Sequence, residues 1–187
     1  MDPNDVFNHN EMHTGINALR PLVAITYFFD SWAWGEHPFG YHLQNLLWHI
    51  LNSLLVYFAV FLCLRRNSAA LLSAIIFAVH PMKTEPVCAI SYRADLLVAF
   101  LVLSGLLCYI QYRESAKKTN FIAAHILFFL ALLTKEASLV LLPLMMAYDK
   151  LIKNEPWPVW LRQALSRYAG FFAHSAFVCL CLHHSIL

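Results

Sequence analysis

His80-Pro81-Met82-Lys83-Thr84-Glu85 and then Arg93-Ala94-Asp95 gather five ionisable side chains into sixteen residues. A carboxylate such as Glu85 can take a proton or hold a cation, and His80 is a second candidate acid–base group. Lys83 and Arg93 can hold a phosphate. The segment lies between two apolar runs, 68–79 and 96–110, and charges at such a boundary are costly unless they pair or do chemistry. Two readings follow. In one, Glu85 and His80 are catalytic, Arg93 and Lys83 grip a phosphate, and Asp95 lines the same cleft. In the other, Glu85 pairs with Lys83 or Arg93 as an interfacial salt bridge and Asp95 caps the next helix. Pro81 and Pro86 oppose regular helix and predict an extended turn around Lys83, Thr84 and Glu85.

Other polar groups converge on the same question. Lys135 and Glu136 interrupt the otherwise apolar stretch 121–148. They are either a surface hairpin tip or part of the outer cleft, where Lys135 adds a cation for a phosphate and Glu136 lines the rim. His42, Asn45, His49 and Asn52 fall within an arc of roughly 80° on one helix face. Such a stripe either supplies interhelical hydrogen bonds, worth about 0.6–2 kcal/mol each, or lines a substrate cleft, with His42 and Asn45 nearest its mouth. Arg20 is a further candidate for the cleft wall. The N-terminal tail offers Asp2, Asp5, His9, Glu11 and His13, any of which could serve as a base or be a solvated tail charge. Asp5 joins Glu85 and His80 as a candidate catalytic residue.

The elements that must position these groups are apolar. The 187 residues are 60% hydrophobic and 13% charged, against roughly 25% charged in soluble domains. Mean hydropathy is +0.57. The net charge of +2 is scattered rather than striped, which argues against a nucleic-acid partner. The five cysteines include no CxxC pair, and Cys179-Leu180-Cys181 is too close for usual zinc spacing. No disulfide framework and no metal site are expected.

Six apolar runs stand out, at 43–64, 68–79, 96–110, 121–133, 137–148 and 168–182. The expected fold is an all-α polytopic membrane helix bundle. Only 43–64 spans alone, since a crossing needs about 20 residues; the shorter runs suit irregular helices around a water-filled cleft. Residues 1–42 form an outer tail, 43–149 the bundle, 150–167 a linker and 168–187 a last partial span. With a reversal at Thr134-Lys135-Glu136, the thirteen basic residues split four against nine. The side with nine, including Arg65, Arg113, Lys150 and Arg167, is then cytoplasmic. A single helix over 121–148 would make that charge rule worse. Both ends read as cut: the tail has no signal peptide or preceding span, and the last run ends in His183-His184-Ser185-Ile186-Leu187 with no charged stop.

Five blocks occur in order: Arg20-Pro21-Leu22, Gly40-Tyr41-His42-Leu43-Gln44-Asn45-Leu46-Leu47-Trp48-His49, His80-Pro81-Met82-Lys83-Thr84-Glu85-Pro86-Val87, Arg93-Ala94-Asp95-Leu96-Leu97 and Leu133-Thr134-Lys135-Glu136. Over residues 20 to 150 the chain resembles the membrane portion of the TMTC-type O-mannosyltransferases and their prokaryotic relatives, of the GT-C class. The resemblance implies a GT-C-like bundle with an outward active site. It implies transfer of a sugar, mannose in eukaryotic members, from a polyprenyl-phosphate donor to a hydroxyl such as protein Ser or Thr. It implies a protein acceptor, membrane lipid as surroundings and no separate cofactor. The location is the endoplasmic reticulum in a eukaryote and the inner or plasma membrane in a prokaryote. The family usually carries paired acids early in its first outer loop, where this chain has Asp2 and Asp5 in a different setting. The rival class is non-catalytic: a membrane scaffold, a lipid-binding or transporter-like protein, or an inactive remnant of such an enzyme.

Overall fold

A computed structural model of the chain describes residues 20–35, 37–154, 156 and 167–176. In chain order its helices are α1 (Pro21–Trp34), α2 (Pro38–Leu64), α3 (Asn67–Val79), α4 (Thr84–Cys88), α5 (Arg93–Ser115), α6 (Lys118–Leu132), α7 (Leu141–Ala147) and α8 (167–176). Short 3-10 turns at Pro81–Lys83, Ile90–Tyr92 and Glu136–Val140 join them, and a π turn covers Tyr148–Ile152. Among the described residues there is no strand.

Residues 20–42, expected to be tail, hold a 14-residue helix and the start of another. Pro21 and Pro38 open α1 and α2 at first-turn positions, where a missing N–H costs nothing. Along α1, Val23 and Asp30 are buried, whereas Ile25, Phe28, Phe29 and Trp32 are exposed. These two sets alternate with helical spacing, so α1 is two-faced. Gly35 ends it at φ 57, with its N–H on the Ser31 carbonyl at 2.9 Å; glycine takes that left-handed conformation without a steric penalty. Gly40 lies directly under α1. A Cβ there would sit 2.2 Å from Cγ of Trp34, so the bare backbone lets the end of α1 rest on the first turn of α2.

Two helices are long and apolar enough to cross a membrane: α2, with 27 residues, and the 26-residue stretch Ile90–Ser115 that contains α5. Apolar helices α3 and α6 are shorter, at 13 and 15 residues. Six spans were expected, and the described residues give two of full length. The 96–110 run grows into a full span because helix continues at both ends through polar residues. The 137–148 run does the reverse. It divides into a 3-10 turn, α7 and the π turn, and Pro143 supplies no N–H for the carbonyl one turn earlier.

The core forms around α5. Of its most apolar window 61% is buried, against 17% for α2, so α5 is central and α2 peripheral. Leu97, Val98, Leu101 and Val102 of α5 pack in one cluster with Phe128 of α6 and Leu141 and Met145 of α7. The outer faces are left apolar: Leu47, Ile50, Leu51, Leu54 and Phe58 of α2, and Leu71, Leu72, Ile75 and Ile76 of α3, are exposed. A contiguous surface of that kind needs lipid or another protein over it.

Polar contacts fix the direction of each helix. Lys135 reaches Asp95 at the start of α5, at 2.5 Å. At the other end of α5, Arg113 reaches Asp149 at 2.8 Å and Tyr148 donates to Glu114 at 3.2 Å. The chain therefore descends along α5, rises along α6, reverses at 133–135 and descends again, so 121–148 is not one helix. Both long helices end alike: Arg65 and Ala116 adopt left-handed φ of 55° and 54°, and each returns its N–H to the fourth carbonyl before it at 2.8 Å. Thr84 belongs to the Lys135 end and Ser115 to the Glu114 end, about 30 Å apart along α5 at 1.5 Å per residue. In a variant with all five native cysteines replaced, single cysteines at 84 and 115 should react with an impermeant maleimide from opposite faces of the membrane. Labelling of both from one face would overturn this arrangement.

Candidate functional site

The residues that open the chain's polar end are set by α1, α2, the 80–92 segment, the start of α5 and the 133–136 reversal. The extended turn expected between Pro81 and Pro86 is instead a 3-10 turn followed by α4. Pro81 is the first residue of its turn and Pro86 lies in the first turn of α4, positions that tolerate proline; the rule against helix applies to helix interiors. His80 accepts the Met82 N–H on Nδ1 at 3.2 Å and so caps the 3-10 turn. Thr84 donates to the Pro81 carbonyl at 2.5 Å.

Arg93 is the centre of this end. It is fully buried, yet it carries a formal charge. Its guanidinium donates to Asp30 of α1, to Oδ1 of Asn45 at 3.0 Å and to the Tyr41 carbonyl at 3.1 Å. It also lies over the Tyr27 ring, 4.6 Å from the centroid. Asp30 is itself only 2% exposed. Helices α1 and α2 are thereby both tied to one side chain of α5. Asn45 extends the network, donating to the Ala89 and Pro86 carbonyls at 3.3 and 3.5 Å, which links α2 to the 80–92 segment.

Of the polar stripe on α2, Asn45, His49 and Asn52 are buried and His42 is exposed. His49 Nε2 meets the Ala78 carbonyl at 3.0 Å and Asn52 donates to the Leu96 carbonyl at 2.9 Å. These side chains bind neighbouring segments to α2.

Above the buried pair lies a more open group. The Tyr92 hydroxyl faces the exposed Glu85 carboxylate, and Asp95 is near enough to act on it electrostatically. Lys135 and Asp95 form an ion pair whose side chains are 29% and 33% exposed, so water or a ligand can reach both. Arg20 and Glu136 approach to 4.0 Å at the rim. Lys83 stands over the Phe77 ring at 4.7 Å.

The structure therefore brings Arg93, Asn45, Asp95, Lys135, Glu136, Arg20 and Glu85 to one end of the bundle. Arg93, expected to hold a donor phosphate, faces protein on all sides and spends its donors there. His42, expected in the cleft wall, is on the open surface of α2. Asp5 lies outside the described residues. Asp30, Tyr27 and Tyr41 are partners of Arg93 that the sequence reading passed over. One signal was available: Asp30 is the only charged residue in the apolar segment 21–34, and a lone ionisable group in such a run calls for a partner.

A second buried carboxylate marks the opposite end. Asp149 accepts from the Tyr109 hydroxyl at 2.5 Å, the Tyr168 hydroxyl at 2.7 Å and Arg113 Nε at 2.8 Å. Arg167 approaches it at 3.3 Å. This cluster ties α5, the π turn and α8 together.

Fold and site define a helical chain with two helices of membrane length, a buried Arg–Asp pair at one end and a partly open carboxylate–lysine group above it. The chain is a sequence relative of the TMTC-type protein O-mannosyl-transferases. It is 34% identical over 161 residues to human protein O-mannosyl-transferase TMTC4, an alignment covering 75% of this chain and 22% of that protein. It is 32% identical over 123 residues to Drosophila melanogaster protein O-mannosyl-transferase Tmtc1, covering 66% of this chain and 14% of the relative. A Caenorhabditis elegans protein O-mannosyl-transferase is 30% identical over 141 residues, covering 71% and 19%. The chain thus spans about a fifth or less of the length of these relatives. No family model matches it, and no solved structure does.

Removing one member of a buried ion pair strands the other charge, at a cost of about 3–5 kcal/mol. Arg93→Leu should therefore lower stability by about that amount in chemical unfolding from micelles. The double variant Arg93→Leu, Asp30→Leu should recover most of the loss. Equal destabilisation by single and double variants would show that the pair is not what holds α1 in place.

Proposed function

We propose that the chain is the membrane portion of a GT-C-class glycosyltransferase that moves a sugar, mannose in a eukaryotic setting, from a polyprenyl-phosphate donor to a hydroxyl of an exported protein. The chain crosses the membrane several times, in the endoplasmic reticulum of a eukaryote or the inner or plasma membrane of a prokaryote. The Arg93 end faces the lumen or exterior. The observation that carries the reading is the relationship to proteins named as O-mannosyl-transferases, together with the grouping of Glu85, Tyr92, Asp95 and Lys135 at one accessible end.

The chemistry divides among these residues. Glu85, exposed and next to Tyr92, is the candidate base for the acceptor hydroxyl; Asp5 of the tail is the second candidate. Lys135, shared with Asp95 but open to solvent, is the cation best placed to meet the departing phosphate, with Lys83 as a further source of charge. Arg93 acts as a positioning residue. By holding Asp30, Asn45 and the Tyr41 carbonyl it fixes the start of α5, and with it Asp95 and Tyr92. His80 shapes the turn that presents Glu85. Arg20 and Glu136 line the approach.

A second reading has its own support. Lys135, Arg20 and Arg93 each already have a carboxylate partner, which fits a structural belt on a non-catalytic scaffold or an inactive remnant. Transfer assays separate the two. With labelled polyprenyl-phosphate mannose and an acceptor protein, Glu85→Gln should cut turnover by about 100-fold, the lower range for loss of a general base, with unfolding unchanged. Lys135→Gln should lower turnover while leaving membrane insertion intact. Wild-type turnover in both variants would leave the belt reading.

A further inference from the structure

At the end of the bundle away from Arg93, a groove of about 460 Å³ opens between α2, α5 and the start of α6. Arg65, Gln111, Glu114, Lys117, Thr119 and Asn120 line it, and Leu62 forms an apolar part of its wall. We propose that this groove binds the phosphate of an anionic membrane phospholipid, with the acyl chains lying down the exposed face of α2. The inference rests on the membrane placement proposed above and adds a lipid site remote from the transfer site.

Level is the first argument. Both membrane-length helices end in the groove, α2 at Leu64 and α5 at Ser115. In a bilayer that is the depth of the headgroups. Charge is the second. Arg65 projects into the groove with its side chain 58% exposed, Lys117 stands opposite, and Arg66 and Lys118 flank them in sequence. The single carboxylate of the groove, Glu114, already meets two cations, Arg65 at 3.5 Å and Lys153 at 2.6 Å, so the local balance stays positive. Neutral hydrogen-bonding groups from Gln111, Thr119 and Asn120 complete a polar lining suited to phosphate oxygens. Continuity is the third. From Leu62 in the groove wall, Phe58, Leu54 and Leu51 follow at helical spacing along α2 and are exposed, so one molecule can satisfy both the polar mouth and the apolar strip. Free phosphate would use only the mouth. Basic pockets between helices on the cytoplasmic side hold anionic headgroups in this manner.

The test is lipid retention by the full chain, extracted in mild detergent and read by native mass spectrometry after exchange with phosphatidylglycerol or phosphatidylcholine. The expected result is preferential retention of phosphatidylglycerol, with preference falling as salt is raised. Arg65→Gln with Lys117→Gln should weaken that preference by about twenty-five-fold, at about fivefold per basic residue near an anionic lipid. Glu114→Gln should strengthen it, a gain that misfolding does not produce. His37→Gln, exposed at the opposite end of α2, should leave it unchanged. Equal retention of the two lipids by a membrane-integrated chain would overturn the site. Displacement of phosphatidylglycerol by millimolar inorganic phosphate would assign the groove to free phosphate instead. A chain that fractionates away from membranes would overturn the membrane placement itself, a distinct outcome.

Discussion

A guanidinium with no solvent exposure must have its charge and its donors satisfied by protein, and in this chain that requirement falls on Arg93. Asp30 neutralises it, Asn45 and the Tyr41 carbonyl take two further bonds, and the Tyr27 ring covers its face. The partners come from α1 and α2. Any rearrangement that parts one of them from α5 exposes a buried charge to an apolar surrounding, which is strongly unfavourable. The position of α1 over the end of the bundle, the entry angle of α5 and the location of Asp95 all depend on this one demand. The more exposed pairs around it, such as Arg20 with Glu136, carry little energy by comparison.

The bundle has a simple electrostatic plan. Among the described residues, acidic and basic side chains are confined to its two ends, and the largest buried polar side chains between them, His49 and Asn52, are bonded to carbonyls of adjacent segments. Each end has one buried carboxylate surrounded by donors, Asp30 at one and Asp149 at the other. Between them the register of α5 against α6 and the returning chain is fixed at both extremes, by Lys135 with Asp95 and by Arg113 with Asp149. Apolar packing alone would allow these helices to slide; ion pairs at both ends do not.

Much of this was legible in the sequence, for identifiable reasons. The stripe His42, Asn45, His49 and Asn52 gave the inward face of α2 for its last three members, because a single helical period decides it; His42, in the first two turns, has no neighbour packed over it and is exposed. The reversal at 133–135 followed from Lys135 and Glu136, because two charges in an apolar stretch must reach an edge. Other features depended on partners distant in the chain. Asp30 falls within the stretch read as an outer tail, since its segment is too short to read as a span and its partner is 63 residues away. Asp149 looked like the edge of a linker, and its burial comes from Tyr109, Arg113 and Tyr168. The prolines at 81 and 86 were read as helix breakers because their distance from a helix start is itself a product of the fold.

Gly40 shows how narrowly some of this is specified. It makes no bond to Arg93 or Asp30, yet the space left by its missing side chain is filled by the Trp34 indole. Any larger residue would push that ring, and the end of α1 with it, away from α2. Asp30 lies one turn before Trp34, so the displacement would carry the carboxylate off its guanidinium. A single hydrogen in place of a methyl group thus works at a distance, as a spacer whose thickness sets whether a charge is neutralised.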